Sequence, residues 1–188
     1  MPTLVLIRHA KAEGAPSRPG GDHARVLVDR GREDAGVLGR LLTEDGWEPD
    51  LALVSTAARA WQTLEALLGE ETVETWPTRR IYDGGIDGVL EAIREVPAAV
   101  DVLWVVGHEP VMSSTAWDLT DVGVPDAGRE ALQGGLLTAS AAVVELDGPW
   151  SDIGVGAGRL IAVRRAATEP GPGGRHTGKV VGPSVRRT

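Results

Sequence analysis

Two histidines and two arginines stand where a phosphoryl group could be held and attacked: Arg8, His9, Arg59 and His108. Arginine presents planar, paired N–H donors that match phosphate oxygens. A neutral imidazole can attack phosphorus and carry the phosphoryl group as a covalent intermediate. A second imidazole can stabilise the charge that develops on the equatorial oxygens. The chain holds only four histidines, and two of them directly follow apolar runs. The set reads as phosphoryl transfer through a phosphohistidine, without metal. A metal site built from His9, His23 and His108 is disfavoured, because two neighbouring arginines would repel a cation.

The elements that must position these residues are legible as alternating strands and helices. Leu4–Ile7, Leu51–Val54 and Val102–Val106 are short apolar runs with β-branched members, the pattern of buried strands. The first delivers Arg8 and His9, the second runs into Ser55, and the third into Gly107 and His108. A helix opening at Asp29 or Gly31 carries Ala35, Leu38, Leu41 and Leu42 at helical spacing and ends at Gly46. A second, capped by Ser55 or Thr56, carries Ala60, Leu64, Leu67 and Leu68 and stops at Gly69. Val73–Trp76 is a short strand before Pro77, 83–88 a loop, Ile86–Val96 a helix, and Pro110–Leu119 another. Residues 11–25 read as loop and 121–135 as linker. Leu136–Leu146 and Ala157–Arg164 read as two late strands. This order predicts a three-layer α/β/α sandwich with a mainly parallel central sheet. Ligands bind such sheets beyond the carboxyl ends of the strands, where the histidines and arginines fall.

Composition narrows the function classes. The chain has 188 residues and no cysteine, which excludes a disulfide scaffold, a thiol nucleophile and Cys-ligated metal. No apolar run approaches the ~18 residues of a membrane helix, and the first residues lack a signal-peptide core, so the expected location is cytoplasmic. The net charge is −8, and the last twenty residues are basic, so the remainder is more acidic still. Such a surface argues against nucleic acid as a partner. One domain is expected over 1–168, followed by a Pro/Gly-rich tail, 169–188, read as disordered.

Ile7-Arg8-His9-Ala10, then Ser55-Thr56-Ala57-Ala58-Arg59-Ala60-Trp61-Gln62-Thr63, then Val106-Gly107-His108-Glu109-Pro110 resemble the motifs of the histidine phosphatase, or phosphoglycerate-mutase-like, superfamily. Asp22-His23-Ala24-Arg25-Val26-Leu27 followed by Asp29-Arg30-Gly31 is similar to its SixA-type phosphohistidine phosphatase branch. The resemblance implies that His9 is the nucleophile, that Arg8, Arg59 and His108 form the phosphate pocket, and that Ser55 supports it. Ala10 stands where many members have Gly, and Val26 and Val28 replace the branch's usual Pro and Thr. No cofactor is implied.

The general acid is the least defined part. Many relatives place a Glu in a long insertion after the third strand, and here that region is short, Ile81-Tyr82-Asp83-Gly84-Gly85. Asp22, favoured by the branch resemblance, and Asp83 are the candidates. A phosphoramidate leaving nitrogen needs less acid help than an alkoxide. The branch resemblance, together with this shortened region, implies protein phosphohistidine on a signalling or carrier protein as the substrate. The rivals are a small-molecule phosphomonoesterase acting on a sugar phosphate or nucleotide, and a non-catalytic phosphate-binding module. Plainer expectations cover the rest: His23 is a solvated loop residue, with a lid or substrate contact as the alternative, and Arg25, Arg30, Arg32 and Arg40 make surface pairs with Glu33, Asp34 and Glu44. Arg79 and Arg80 are either loop ion pairs or a substrate rim. The tryptophans Trp47, Trp61, Trp76, Trp104 and Trp117 fill the core.

Overall fold

Alternation along three central strands divides the core in two. The computed structural model describes residues 1–14, 19–120 and 127–166. β1 (Thr3–Arg8), β2 (Leu51–Ser55) and β4 (Val102–Gly107) are buried almost throughout, with β3 (Glu74–Thr78) between the last two in sequence. Leu4, Leu6, Leu51, Leu53, Leu103 and Val105 face one layer. Val5, Ile7, Ala52, Val54, Trp104 and Val106 face the other. Successive strand residues point to opposite faces, so a continuous apolar run requires cover on both.

α1 (Asp29–Glu44) and α2 (Ala58–Leu68) cover the second face with Ala35, Leu38, Leu42, Leu64 and Leu67. The first face is covered by α4 (Gly85–Arg94), preceded by the one-turn α3 (Arg80–Asp83), and by α5 (Val111–Leu119) and α6 (Ala127–Gln133). Each large apolar side chain buried this way contributes ~1.5–3 kcal/mol. α1 and α2 lie so close that a Cβ at Gly39 would stand 2.0 Å from the Leu67 carbonyl oxygen.

The sheet order is β3-β2-β4-β1-β5-β6, where β5 is Ser140–Leu146 and β6 is Gly158–Arg165. β3, β2, β4 and β1 are mutually parallel. β5 runs antiparallel to both β1 and β6, so it alone is reversed. The expected three-layer, mainly parallel sandwich is the observed fold.

Several local expectations are corrected. The expected linker 121–135 contains α6; residues 121–126 lie outside the described residues. The expected loop at 83–88 is helical on both sides of Gly84, and the third helix ends at Arg94 rather than Val96. β3 continues through Pro77, which an edge strand tolerates because one side of its backbone needs no partner. β5 begins at Ser140, although Leu136 is buried. Ala57, not Ser55 or Thr56, occupies the N-cap position of α2. The 11–25 loop includes a 3-10 turn, Gly21–Ala24. Of the tryptophans, Trp104 and Trp150 are fully buried, whereas Trp61 is 39% exposed and donates to Glu65 on the surface. The basic tail 169–188, and with it the boundary at 168, lies outside the described residues. No described helix is long and apolar enough to cross a membrane.

Candidate active site

β2, β4 and β1 are neighbours in the sheet, and their carboxyl ends deliver the candidate residues to one place. The His9 amide extends the ladder by donating to the Gly107 carbonyl at 3.0 Å, which brings the segments after β1 and β4 together. The His9 and His108 rings lie 5.1 Å apart, centroid to centroid.

His9 Nδ1 lies 2.7 Å from the Ala10 carbonyl oxygen. A carbonyl only accepts, so Nδ1 carries the proton and Nε2 presents its lone pair. Arg59 Nε donates to that Nε2 at 3.2 Å. Burial pushes the imidazole down from 6.5 to about 4, assisted by the charges of Arg59, Arg8 and Arg25 and opposed by the bond to Ala10. His9 is therefore neutral at physiological pH, the state a nucleophile needs.

His108 Nε2 lies 2.8 Å from Ser55 Oγ, and the same oxygen accepts the Ala57 amide at 3.3 Å. Ser55 is fully buried and so fixes the ring from the end of β2. His108 Nδ1 is buried with no hydrogen-bond partner among the described residues. Burial, then Arg59 and His9, lower this imidazole to about 3.

Arg59 sits in the first turn of α2 and is only 6% exposed. Its NH1 donates to the Asp22 carbonyl at 2.7 Å and its NH2 to Asp22 Oδ2 at 2.9 Å. Thr63, one turn further on, donates to the Arg59 carbonyl and accepts the Ala10 amide, tying α2 to the segment after β1. Arg8 NH1 donates to the Leu136 carbonyl at 2.6 Å, while its Nε is buried without a partner among the described residues.

The two candidate acids part company. Asp22 lies at the cluster, bonded to Arg25 NH1 at 2.8 Å as well as to Arg59. The Arg25 bond holds its carboxyl down at about 2, against the opposing effect of burial and with further help from Arg59. Asp83 pairs with Arg79 at 2.8 Å, and its side chain is 51% exposed. Its neighbour Tyr82 reaches the cluster instead: the phenol donates to Asp22 Oδ2 at 3.3 Å and the ring packs edge-on against His108 and His23. His23 also meets Thr56 Oγ1 at 3.0 Å in an exposed contact at the rim of the cluster. Arg30 pairs with Asp34 as expected, but Arg25 turns to Asp22 and the Glu13 carbonyl. Arg80 pairs with Glu95.

Sequence reasoning missed Tyr82, Arg25 and Thr63. Tyr82 is the chain's single tyrosine, and Thr63 stands one helical turn from Arg59, but neither signal implies a contact. Among the described residues no group of three or more His, Asp or Glu is placed to hold a metal.

Comparisons with known proteins show the family and the fold. A model of the histidine phosphatase superfamily (branch 1) matches residues 4–95. A solved structure from Nakamurella multipartitia, assigned as a candidate phosphohistidine phosphatase SixA, is 30% identical with a TM-score of 0.78, covering 89% of this chain and 97% of that one. A second, from Agrobacterium tumefaciens and assigned likewise, is 29% identical with a TM-score of 0.70, covering 87% and 98%. An uncharacterised protein of Mycobacterium tuberculosis is 35% identical over 158 residues, 82% of this chain and 96% of that protein.

Proposed function

The chain belongs to the histidine phosphatase superfamily, and from that premise we propose that it hydrolyses protein phosphohistidine through a covalent phosphohistidine on His9, without metal. The His9 Nε2 lone pair attacks phosphorus in line while the P–N bond to the substrate imidazole breaks. That imidazole, protonated on its other ring nitrogen, departs neutral. Water then attacks the phosphorus on His9, giving inorganic phosphate and restoring the neutral imidazole. Arg8 and Arg59 bind the phosphoryl oxygens, and His108, oriented by Ser55, faces them from β4.

The observation that carries the substrate class is the state of the carboxylates. Asp22, the one of the two at the cluster, is tied to Arg25 and Arg59 in bonds that favour its carboxylate, so it is ill suited to hand a proton to an alkoxide. Asp83 is committed to Arg79. A leaving nitrogen that brings its own proton suits such a site better than an ester oxygen. A second reading, a small-molecule phosphomonoesterase, is favoured by one feature: a cavity of about 890 Å3 beside Arg8, within the size range of small-ligand sites.

Turnover of a phosphohistidine-bearing carrier protein and of an aryl phosphate, side by side with His9→Ala, decides between them. The expected result is release of phosphate from the protein, unaffected by EDTA and absent in His9→Ala. The trapped phosphoenzyme should decay in acid, as a phosphoramidate does. An acid-stable label would refute the nucleophile. Turnover of the ester alone would move the substrate to the second reading. Silence on both would make the protein a phosphate-binding module.

A further inference from the structure

The cavity beside Arg8 has a chemistry of its own. Arg8, Glu109, Ser113, Trp117, Asp118 and Leu136 are among its walls. It adjoins the phosphate cluster through consecutive residues of two strand ends. After β1, His9 belongs to the cluster and Arg8 to the cavity. After β4, His108 belongs to the cluster and Glu109 to the cavity.

Its polar groups are arranged by sign. Arg8 stands at the phosphate end with Nε buried and unpartnered among the described residues. Two carboxylates also line it, Glu109 just before α5 and Asp118 in its last turn. Ser113, one turn along the helix and 6% exposed, donates to Glu109 Oε2, which fixes the carboxylate. Glu109 Oε1 is buried with no partner among the described residues. A carboxylate on a cavity wall attracts a charged N–H from a ligand, and an oxygen left without a donor makes that attraction stronger because no protein group offsets its charge. Gly135, at φ +79°, borders the same group: a Cβ there would come within 3.4 Å of Glu109 Oε2.

We propose that this cavity is a cation-binding subsite, which takes an ammonium or guanidinium group carried by the substrate beside its phosphoryl group, with Glu109 as the specificity-determining residue. The proposal rests on the phosphatase reading for its phosphoryl end and extends it to the remainder of the substrate. The cation can come from a basic side chain of a phosphorylated protein or from an amine on a small phosphorylated molecule. Both present the same chemistry to Glu109.

The test is calorimetric binding of paired phosphonates to the full chain: ω-aminoalkylphosphonates of two to five carbons against the plain alkylphosphonates. The best amine should bind about tenfold tighter than its plain counterpart, the scale of one charge-assisted hydrogen bond. N-acetylation, which removes the charge, should return its affinity to that of the plain compound. Glu109→Gln should bring the ratio close to one. A ratio near one in the unaltered protein, or a ratio unchanged by Glu109→Gln, overturns the subsite. Phosphohistidine peptides with Lys or norleucine beside the phosphorylated residue then locate the cation. Preference for Lys places it on a protein. Equal turnover of both peptides, with the phosphonate ratio intact, places it on a small molecule. If neither peptide is turned over while the phosphonate ratio holds, the phosphohistidine reading fails and the subsite stands.

Discussion

At the scale of single residues, the unliganded cluster is an array of cations and neutral imidazoles closed by one carboxylate. His9 and His108 titrate near 4 and 3, against 6.5 in an unfolded chain. As pH falls below 6.5 the unfolded chain takes up protons at both positions before the native chain does. Native stability therefore declines through that window toward pH 4. Each pKa unit of difference is ~1.4 kcal/mol, so with both rings contributing a loss of about 5 kcal/mol is expected by pH 4.5. Bound phosphate adds negative charge that favours the protonated rings, and it should flatten the slope. Urea midpoints from pH 7.5 to 4.5, with and without phosphate, read both effects; an equal decline in the His9→Gln, His108→Gln double variant would assign the loss to other groups. The meeting of His9, both arginines and Ser55 was legible because each lies at or shortly after a strand end. Tyr82 was not, because its contact with Asp22 spans sixty positions and depends on how α3 packs. Glu109 lay in plain view beside His108, but its unpartnered oxygen exists only once α5 and the 134–136 segment meet.

At the scale of elements, α1 is the clearest case of a local pattern set by a distant one. Its glycines are indistinguishable in sequence, yet they face different neighbours. A Cβ at Gly39 would stand 2.0 Å from the Leu67 carbonyl, whereas one at Gly36 would meet the Ala66 carbonyl at an ordinary 3.6 Å. Gly39→Ala should destabilise the protein by about 1–3 kcal/mol through forced separation of α1 and α2. Gly36→Ala should stabilise it by ~0.5–1 kcal/mol, because alanine loses less backbone freedom in a helix. Denaturant midpoints of the two variants compare them directly, and destabilisation by both would remove the distinction. The same dependence on distant partners explains the misread boundaries. Pro77 reads as a strand end until β3 is known to lie at the sheet edge. Leu136 reads as strand because it is apolar and buried, but it packs from the segment before β5. α6 escaped notice because Gly128 and Gly134 bracket few apolar residues.

At the scale of the whole molecule, the layered fold was legible because continuous apolar runs alternate with amphipathic helices, a pattern with few spatial solutions. The reversal of β5 was not, since a strand's direction leaves no mark in its own composition. The site should also report on global stability. A ligand at one hundred times its dissociation constant adds ~2.7 kcal/mol, about 5–10 °C in Tm for a chain of this size. Phosphate should produce such a rise, and Arg59→Gln should abolish it; a rise that survives the substitution would place the anion elsewhere. The reversed β5 has a wider consequence. Because it runs against its neighbours, Ser140 pairs with Arg8 and the chain enters β5 at the catalytic edge. The 134–139 segment therefore arrives there from outside the sheet, and its Leu136 carbonyl holds Arg8. Reactivity is anchored in the strands, while part of what surrounds it rides on a connection whose backbone joins them at its end, where Ala139 bonds His9 and Ala166. Changing what the molecule selects can thus be separated from changing what it does.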